Sequence, residues 1–291
     1  MNMTMTMTKR RITSVGCWLV AGCLVAVSAE AQQRPLLTED PESIGEGLIL
    51  LEAGFGHAWS QPFPVSGLTG DLLRGPLLGL SIGLGPFAEV QIDGISTSRL
   101  LINERVDAPL SGMLEVPGDS TRSFDDIVIG TKVKIASEAG WRPAVALRFA
   151  TRLPNASNES GLGLDTFDFF QSLLFGKTVQ SVRVVGNIGF AILGDPTRGD
   201  RQNDVLTYGF SLARAIAPGA EVVGEINGRA STRSGTAPPG TDSNGRMTFG
   251  VRYTRSAVRL DAGLFTGLTS RDPKLGLTGG VTWVFTSPLT P

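Results

Sequence analysis

The chain has 291 residues, of which 41% are hydrophobic, 18% are charged and 37 are glycine. The charged fraction lies below the roughly 25% of soluble domains, and the glycine content favours strands and turns over helices. The formal net charge is -1 and no run of Lys and Arg occurs beyond the extreme N-terminus, so we expect no nucleic-acid partner.

Residues 1–31 have the three parts of a bacterial signal peptide. Basic Lys9-Arg10-Arg11 precedes an apolar stretch, and Ala29-Glu30-Ala31 places small residues at the two positions that a signal peptidase reads. We expect cleavage after Ala31, which leaves residues 32–291 as the exported domain. No later segment has the ~18 consecutive apolar residues of a membrane-spanning helix, so the sequence excludes a helical membrane protein.

Both cysteines, Cys17 and Cys23, lie inside this predicted leader. The mature chain would then contain none, and disulfides and cysteine-ligated metals drop out together. An alternative stays open at Cys23, because Val20-Ala21-Gly22-Cys23 resembles the lipobox of bacterial lipoproteins, in which the cysteine is acylated after cleavage.

Alternation of apolar and polar residues recurs along the mature chain, whereas no long helical pattern follows residue 35. In one segment Ile127, Ile129 and Val133 alternate with Lys132 and Lys134. We count twelve such segments, at 48–58, 77–84, 87–97, 125–136, 141–153, 164–176, 180–193, 204–216, 220–230, 245–255, 257–268 and 276–285. The sequence therefore predicts an all-β fold, an antiparallel up-and-down transmembrane β-barrel of about 12 strands.

The connections between these segments alternate between long and short, as they do in outer-membrane barrels. The predicted long connections are 59–76, 98–124, 154–163, 194–203, 231–244 and 269–275. The predicted tight turns are at 85–86, 137–140, 177–179, 217–220 and 256–257. A soluble sandwich has no reason to alternate in this way.

Short blocks spread along the chain resemble the outer-membrane barrel family named for the MetA pathway of phenol degradation, whose members are often called transporter-like. The blocks are Asp126–Lys132, Arg142–Ala146 running to Leu153-Pro154, Gly186–Phe190, Tyr208-Gly209, Glu225 within Ala220–Gly228, Gly250–Tyr253 and Gly280–Phe285. The resemblance covers roughly residues 125–285 and, more weakly, 48–97. It implies a barrel in the outer membrane of a Gram-negative bacterium and, by association, a hydrophobic or aromatic solute.

Charged side chains on the polar faces of the strands must point into the barrel, because Lys or Arg at mid-depth in lipid costs about 2–4 kcal/mol. The lumen-facing candidates are Glu52, Asp93, Lys132, Lys134, Arg148, Arg183, Glu221, Glu225, Arg252, Arg259 and Asp261. The residues Glu89, Gln91, Asn187 and Asn227 share this face.

Two arrangements follow from the predicted registers. A two-residue turn at Ser256-Ala257 sets Arg252 opposite Asp261, and an approximate register on the other side brings Glu225 beside Arg252. This row predicts either a salt-bridge network that fills the interior or a contact surface for substrate. The hairpin 125–153 would also gather Lys132, Lys134, Arg142 and Arg148 into a positive patch that attracts anions or is neutralised by neighbouring carboxylates.

His57 is the only histidine, and we expect it on the outer or rim side of the first strand beside Trp59, in an aromatic belt. A barrel enzyme would need a Ser or Asp within hydrogen-bond reach of His57, and no Gly-x-Ser-x-Gly motif is present. With one histidine and no mature cysteine, no metal-ligand spacing is visible, and we expect no cofactor.

The leading functional hypothesis is an outer-membrane channel or transporter for small solutes, with membrane lipid and the solute as its partners. A twelve-stranded barrel is intermediate in width between filled small barrels and open porins, so the packing of the interior decides whether it conducts. Segment 98–124 could fold inward as a plug. The alternatives are a non-transporting structural or adhesion barrel and, less favoured, a barrel enzyme.

Overall fold

The computed structural model describes residues 34–288, and the predicted signal peptide with Cys17 and Cys23 lies outside them. Fourteen strands make up almost all of the regular structure: β1 Leu48–Phe63, β2 Leu68–Gly83, β3 Ala88–Ile95, β4 Thr97–Arg105, β5 Ser120–Phe124, β6 Val128–Ala136, β7 Ala144–Arg152, β8 Asp168–Val179, β9 Val182–Gly194, β10 Gln202–Ala217, β11 Ala220–Ser231, β12 Asn244–Arg255, β13 Val258–Gly267 and β14 Leu275–Thr286. A 3-10 turn at Ser111–Met113 is the one helical element within the described residues. Among the described residues, no helix has the length and apolar character needed to cross a membrane.

Twelve of the strands close into an antiparallel barrel, which confirms the predicted fold. Neighbouring strands pair in chain order from β6 to β14, and β14 pairs with β1, β1 with β2, β2 with β3 and β3 with β6. Closure leaves no free edge in the barrel wall, so every wall strand has a hydrogen-bonded neighbour on both sides for its backbone N–H and C=O groups.

The two remaining strands, β4 and β5, form a hairpin on the rim. The first half of β2 pairs with β4 and its second half with β3, so β4 continues the line of β3. Two sequence predictions are therefore wrong. Residues 59–76 are mostly strand, with only 64–67 between β1 and β2, and residues 98–124 are largely the β4–β5 hairpin.

The two ends of the barrel differ, as predicted for the other connections. One end has short turns at 84–87, 137–143, 180–181, 218–219 and 256–257, and we call it the turn end. The connections at the other end, which we call the loop end, include 106–119, 153–167, 195–201, 232–243 and 268–274. Gly219 (φ +74°) and Ser256 (φ 56°) adopt the left-handed conformation that two-residue hairpin turns require.

The outer surface is apolar. Alternate residues of each strand point outwards and leave large apolar side chains exposed, among them Phe249, Leu260 and Trp283. Such a continuous apolar surface is not stable in water, and it matches the lipid-facing band of a membrane barrel.

Candidate functional site: the barrel lumen

Residues 34–47, which we call the lumen segment, lie inside the barrel. The segment begins beside β13 and β14, where Arg34 contacts Asp261 (3.4 Å) and donates to the carbonyl oxygen of Gly279 (2.8 Å). It then crosses to β3, where Ile44 N donates to Glu89 (2.8 Å), before the chain enters β1. The segment thus crosses the lumen from one wall to the other.

The centre of the segment is held by a buried charge cluster. Glu39 accepts from Lys132 (3.0 Å) and from Gln91 (2.7 Å), and its second oxygen lies 3.6 Å from Arg148. Lys132 also pairs with Glu89 at 3.0 Å and is fully buried. Breaking a buried pair strands a charge, so these contacts fix the segment firmly.

A second attachment links the segment to the turn end. Arg183 donates to both carboxylate oxygens of Asp40 (2.8 and 2.9 Å) and also to Glu138 (2.7 Å). Glu138 lies in the β6–β7 turn. Burial raises the pKa of its carboxyl, but the hydrogen bonds from Lys177 and from the Thr178 backbone, together with the charges of Lys177 and Arg183, lower the pKa by more. The net pKa of Glu138 lies below its usual value, so the anchor is ionised at neutral pH.

Backbone groups of the segment are also bound. Glu225 accepts from the amide nitrogens of Leu37 (2.9 Å) and Thr38 (2.8 Å) and from the Thr38 hydroxyl (2.8 Å). Arg252 donates to the carbonyl oxygen of Arg34 (2.7 Å). These bonds satisfy backbone groups of a segment that forms no strand or helix of its own.

Seven of the eleven predicted lumen residues contact the lumen segment, namely Lys132, Lys134, Arg148, Arg183, Glu225, Arg252 and Asp261. The other four contact wall residues instead. Glu52 accepts from Thr282 (3.2 Å), Asp93 lies 3.7 Å from Arg148, and Glu221 lies 3.9 Å from Arg259.

The predicted row across β11, β12 and β13 is half right. Arg252 pairs with Asp261 in register, but Glu221, not Glu225, stands opposite Arg252. Glu225 lies four residues further along β11, opposite Thr248. Arg142 is also misplaced by the sequence reading, because it lies exposed in the β6–β7 turn and not with the positive patch.

Glycines in the wall make room for the lumen segment. A Cβ at Gly209 would lie 3.0 Å from the Thr38 hydroxyl, and one at Gly250 would lie 2.7 Å from Pro35. A Cβ at Gly176 would lie 2.8 Å from Pro41. The wall therefore has glycine at positions where a side chain would overlap the lumen segment.

Segment 98–124 does not serve as the plug. Its two strands extend the wall, and its connecting loop joins a roof at the loop end, where Leu110 N donates to Val65 O (2.9 Å). The loop 232–243 reaches the same roof, since a Cβ at Gly240 would lie 3.1 Å from both Val65 and Leu164. The occluding element is the lumen segment, which sequence reasoning missed.

The lumen segment divides the interior into two cavities. The loop-end chamber, of about 720 Å³, is bounded by residues that include Leu37, Leu72, Phe170 and Phe265. The turn-end chamber, of about 440 Å³, is lined by small residues such as Ala213 and by the charged pairs around Arg183 and Arg259. Leu36 and Thr38 border both chambers.

The side chain of His57 lies on the outer side of β1, although the residue also borders the loop-end chamber. Its ring packs edge-on against Trp59, with 4.5 Å between ring centroids, and its register partners Leu73 and Leu277 are exposed outer-face residues. The side chain thus lies on the outer side of β1 beside Trp59, as expected from the sequence, and its place in an aromatic belt stays a prediction. Within residues 34–288, no group of three or more His, Cys, Asp or Glu side chains is arranged to hold a metal ion.

No family model and no curated protein matches this chain. Among solved structures, an outer membrane channel from Pseudomonas putida F1 is similar with a TM-score of 0.59 at 13% identity, covering 84% of this chain and 98% of that one. The NanC porin gives 0.47 at 10% identity (82% and 99% covered), and LpxR from Salmonella typhimurium gives 0.42 at 11% (81% and 100%). The first likeness shows the fold, a closed barrel of the outer-membrane type.

Proposed function

We propose that the protein is an outer-membrane channel for small solutes that the lumen segment closes. The predicted signal peptide and the apolar outer face support the membrane location. The resemblance to the phenol-degradation barrel family and the apolar side chains of the loop-end chamber favour a hydrophobic or aromatic solute.

One observation carries this proposal. The lumen is divided by a single chain segment with a cavity on either side, and the segment is held by polar bonds to the wall and by a few apolar contacts, such as that of Leu36 with Ala213 and Val223. None of these contacts belongs to the strand pairing that closes the wall, so the segment can leave once its ion pairs are broken, and the hydrogen bonds of the barrel stay intact. A barrel whose role is only structural needs no cavities on both sides of a separable segment.

The dense ion pairing of the lumen favours the competing candidate, a non-transporting structural barrel. In that case the segment would remain bound and the two chambers would stay separate. The two candidates differ in whether the segment moves.

A reversible lock tests the difference. The Cβ of Thr38 lies 3.5 Å from the position of a Cβ at Gly209, which is within the range of a disulfide. Residues 32–291 contain no cysteine, so Thr38→Cys with Gly209→Cys forms the only possible pair. We expect the oxidised protein to be silent in planar bilayers and the reduced protein to give stable current steps.

The matched control joins two wall strands instead. A Cβ at Gly130 lies 3.4 Å from that of Ala150, so Gly130→Cys with Ala150→Cys cross-links β6 to β7 and leaves the segment free. This variant should conduct in both redox states. Equal currents from the oxidised and reduced lock would overturn gating by the segment, and an inserted wild-type barrel that never conducts would favour the structural candidate.

A further inference from the structure

The loop-end chamber contains two arginines without an ion-pair partner among residues 34–288. Arg246 donates to Thr248 Oγ1 (3.2 Å), and its guanidinium carbon lies 3.6 Å from the centre of the Phe265 ring. Arg229 donates to the backbone carbonyls of Gly240 (2.7 Å) and Asp242 (2.8 Å). Neither guanidinium contacts a carboxylate within the described residues.

Other cations of the lumen differ in this respect. Lys132, Lys134, Arg148, Arg183 and Arg259 each lie within ion-pair distance of a carboxylate. A cation in a narrow cavity is costly unless an anion or water compensates it. Within the described lumen, the loop-end chamber is thus where guanidinium groups lack an ion-pair partner and are available to an anionic ligand.

The two arginines lie close to each other on adjacent strands. Arg246 pairs in register with Asn227, and Arg229 pairs with Asn244, so the two are diagonal neighbours. Diagonal residues on adjacent strands are about 7–8 Å apart at the backbone, within joint reach of one anionic group. Guanidinium groups bind carboxylates through paired N–H donors, which gives this placement a preferred ligand chemistry.

Apolar side chains lie in the same cavity. Leu72, Phe170, Leu174 and Phe265 face it from three strands, β2, β8 and β13, and the Leu37 side chain is 57% exposed on the lumen segment. The Phe265 ring lies over Gly276, where any Cβ would collide with it. This glycine allows the ring to lie flat beneath Arg246, so an apolar surface and a cation are presented side by side.

The carboxylates of the chamber are already engaged. Glu52 accepts from Thr282, Asp93 lies beside Arg148, and Asp272 accepts from the amides of Gly245 and Thr269. None of these carboxylates lies within ion-pair distance of the Arg246 or Arg229 guanidinium.

We infer that the loop-end chamber binds a small organic carboxylate with an apolar body, its carboxylate at Arg246 and Arg229 and its body against Phe265, Leu72 and Leu37. The cavity of about 720 Å³ is of the size that small-molecule sites have. This inference names the solute class of the proposed channel and rests on that function only for its role, since binding itself requires no transport.

Calorimetric titration of the detergent-solubilised barrel tests the site. The probes are benzoate, benzyl alcohol, which has the same body without the charge, and acetate, which has the charge without the body. We expect benzoate to bind at least about tenfold more tightly than either of the others, because only benzoate meets both the cation and the apolar surface. Equal affinity for benzoate and benzyl alcohol would overturn the inference.

Substitutions locate the binding. Arg246→Gln should weaken benzoate binding about tenfold and leave benzyl alcohol unchanged, since one charge-assisted contact is lost. Arg255→Gln, at an exposed position on the turn end of the same strand, is the control and should change neither. Equal effects of the two substitutions would place the binding elsewhere.

A second variant does not depend on the packing of Arg246. Leu37→Glu introduces a carboxylate on an exposed side chain of the chamber, and it should abolish benzoate binding while Leu37→Gln retains it. Unchanged benzoate binding in Leu37→Glu would overturn the site. Because calorimetry needs no current, benzoate binding to a silent barrel would refute the channel alone, and conduction without benzoate binding would refute the site alone.

Discussion

The two chambers of the lumen share a wall of the same twelve strands but differ in chemistry. In the turn-end chamber the charges are matched, as Arg183 is with Asp40 and Arg259 with Glu221. In the loop-end chamber apolar side chains lie beside Arg246, which has no carboxylate partner among residues 34–288. The wall cations named at the turn end therefore have carboxylate partners, whereas Arg246 at the loop end has none in the described part of the chain.

This difference shows what the lumen segment contributes to the barrel. Its acidic residues neutralise the basic wall at mid-barrel and towards the turn end, and its Leu37 adds apolar surface towards the loop end. Variants that loosen the segment should erase the difference between the chambers, whereas variants in one chamber should leave the other intact.

The largest effect should come from Lys132→Met. This change removes the cation shared by Glu39 and Glu89 and leaves two carboxylates buried without it. Breaking a buried pair costs about 3–5 kcal/mol, so the free energy of unfolding in guanidinium should fall by that amount. The released segment should also join the two chambers and raise the conductance.

Lys134→Met is the matched control, on the same strand and towards the same segment. Its pair with Glu42 is partly open to solvent, and such pairs contribute at most about 1 kcal/mol. Similar losses of stability in the two variants would show that burial of the Lys132 cluster does not anchor the segment.

A smaller loss is expected from Glu225→Gln. The carboxylate holds the backbone of Leu37 and Thr38 with both oxygens, and an amide retains one acceptor, so the local anchor should weaken by about 2 kcal/mol. Hydrogen exchange of these two amides measures it. The exposed Glu46→Gln on the same segment should leave their exchange unchanged, and faster exchange there would contradict a specific anchor.

Gly276→Ala tests the loop-end chamber alone. The added methyl group collides with the Phe265 ring and should cost about 1–3 kcal/mol of unfolding free energy, because the ring must leave its place under Arg246. Gly186→Ala on β9 is the control, since nothing lies within 4 Å of its Cβ. If adding Gly276→Ala made the oxidised variant Thr38→Cys with Gly209→Cys conduct, the two chambers would not be independent.

The smallest effect concerns pH at the turn end. The pKa of Glu138 is lowered in the folded protein, so its bonds stabilise the fold above the usual pKa of 4.5 and are lost as pH falls through the lowered value. At pH 7 the free energy of unfolding of wild type should exceed that of Glu138→Gln by less than about 1 kcal/mol, and the difference should shrink below pH 4.5 and vanish below the lowered pKa. A difference that does not shrink as the pH falls below 4.5 would contradict this assignment.

The barrel could be predicted because its pattern is local. Alternation in a strand such as β6 places Lys132 and Lys134 on one face whatever the rest of the chain does. The register of β12 and β13 was also predictable, because the two-residue turn at Ser256-Ala257 sets Arg252 opposite Asp261. Turn length fixes register, and no tertiary information is needed.

The errors arose where the connection is long or the contact distant. A long loop joins β11 to β12, so counting residues could not fix their register, and Glu225 was assigned to Arg252 instead of Thr248. The lumen segment has no periodicity, and its contacts join residues as far apart as Leu37 and Glu225. One signal was present: Glu39, Asp40 and Glu42 cluster just before a barrel whose inner face carries basic residues.

The glycines that face the lumen segment have an evolutionary consequence. Gly176, Gly209 and Gly250 trace the path of Pro41, Thr38 and Pro35 across the wall, each at a position where a larger residue would collide. Glycine weakens a strand by roughly 0.5–1 kcal/mol, so drift would replace it wherever the segment had been lost. Homologous barrels should therefore keep or lose these glycines together with the prolines before the first strand. An alignment of such sequences would then separate barrels with a closing segment from barrels without one.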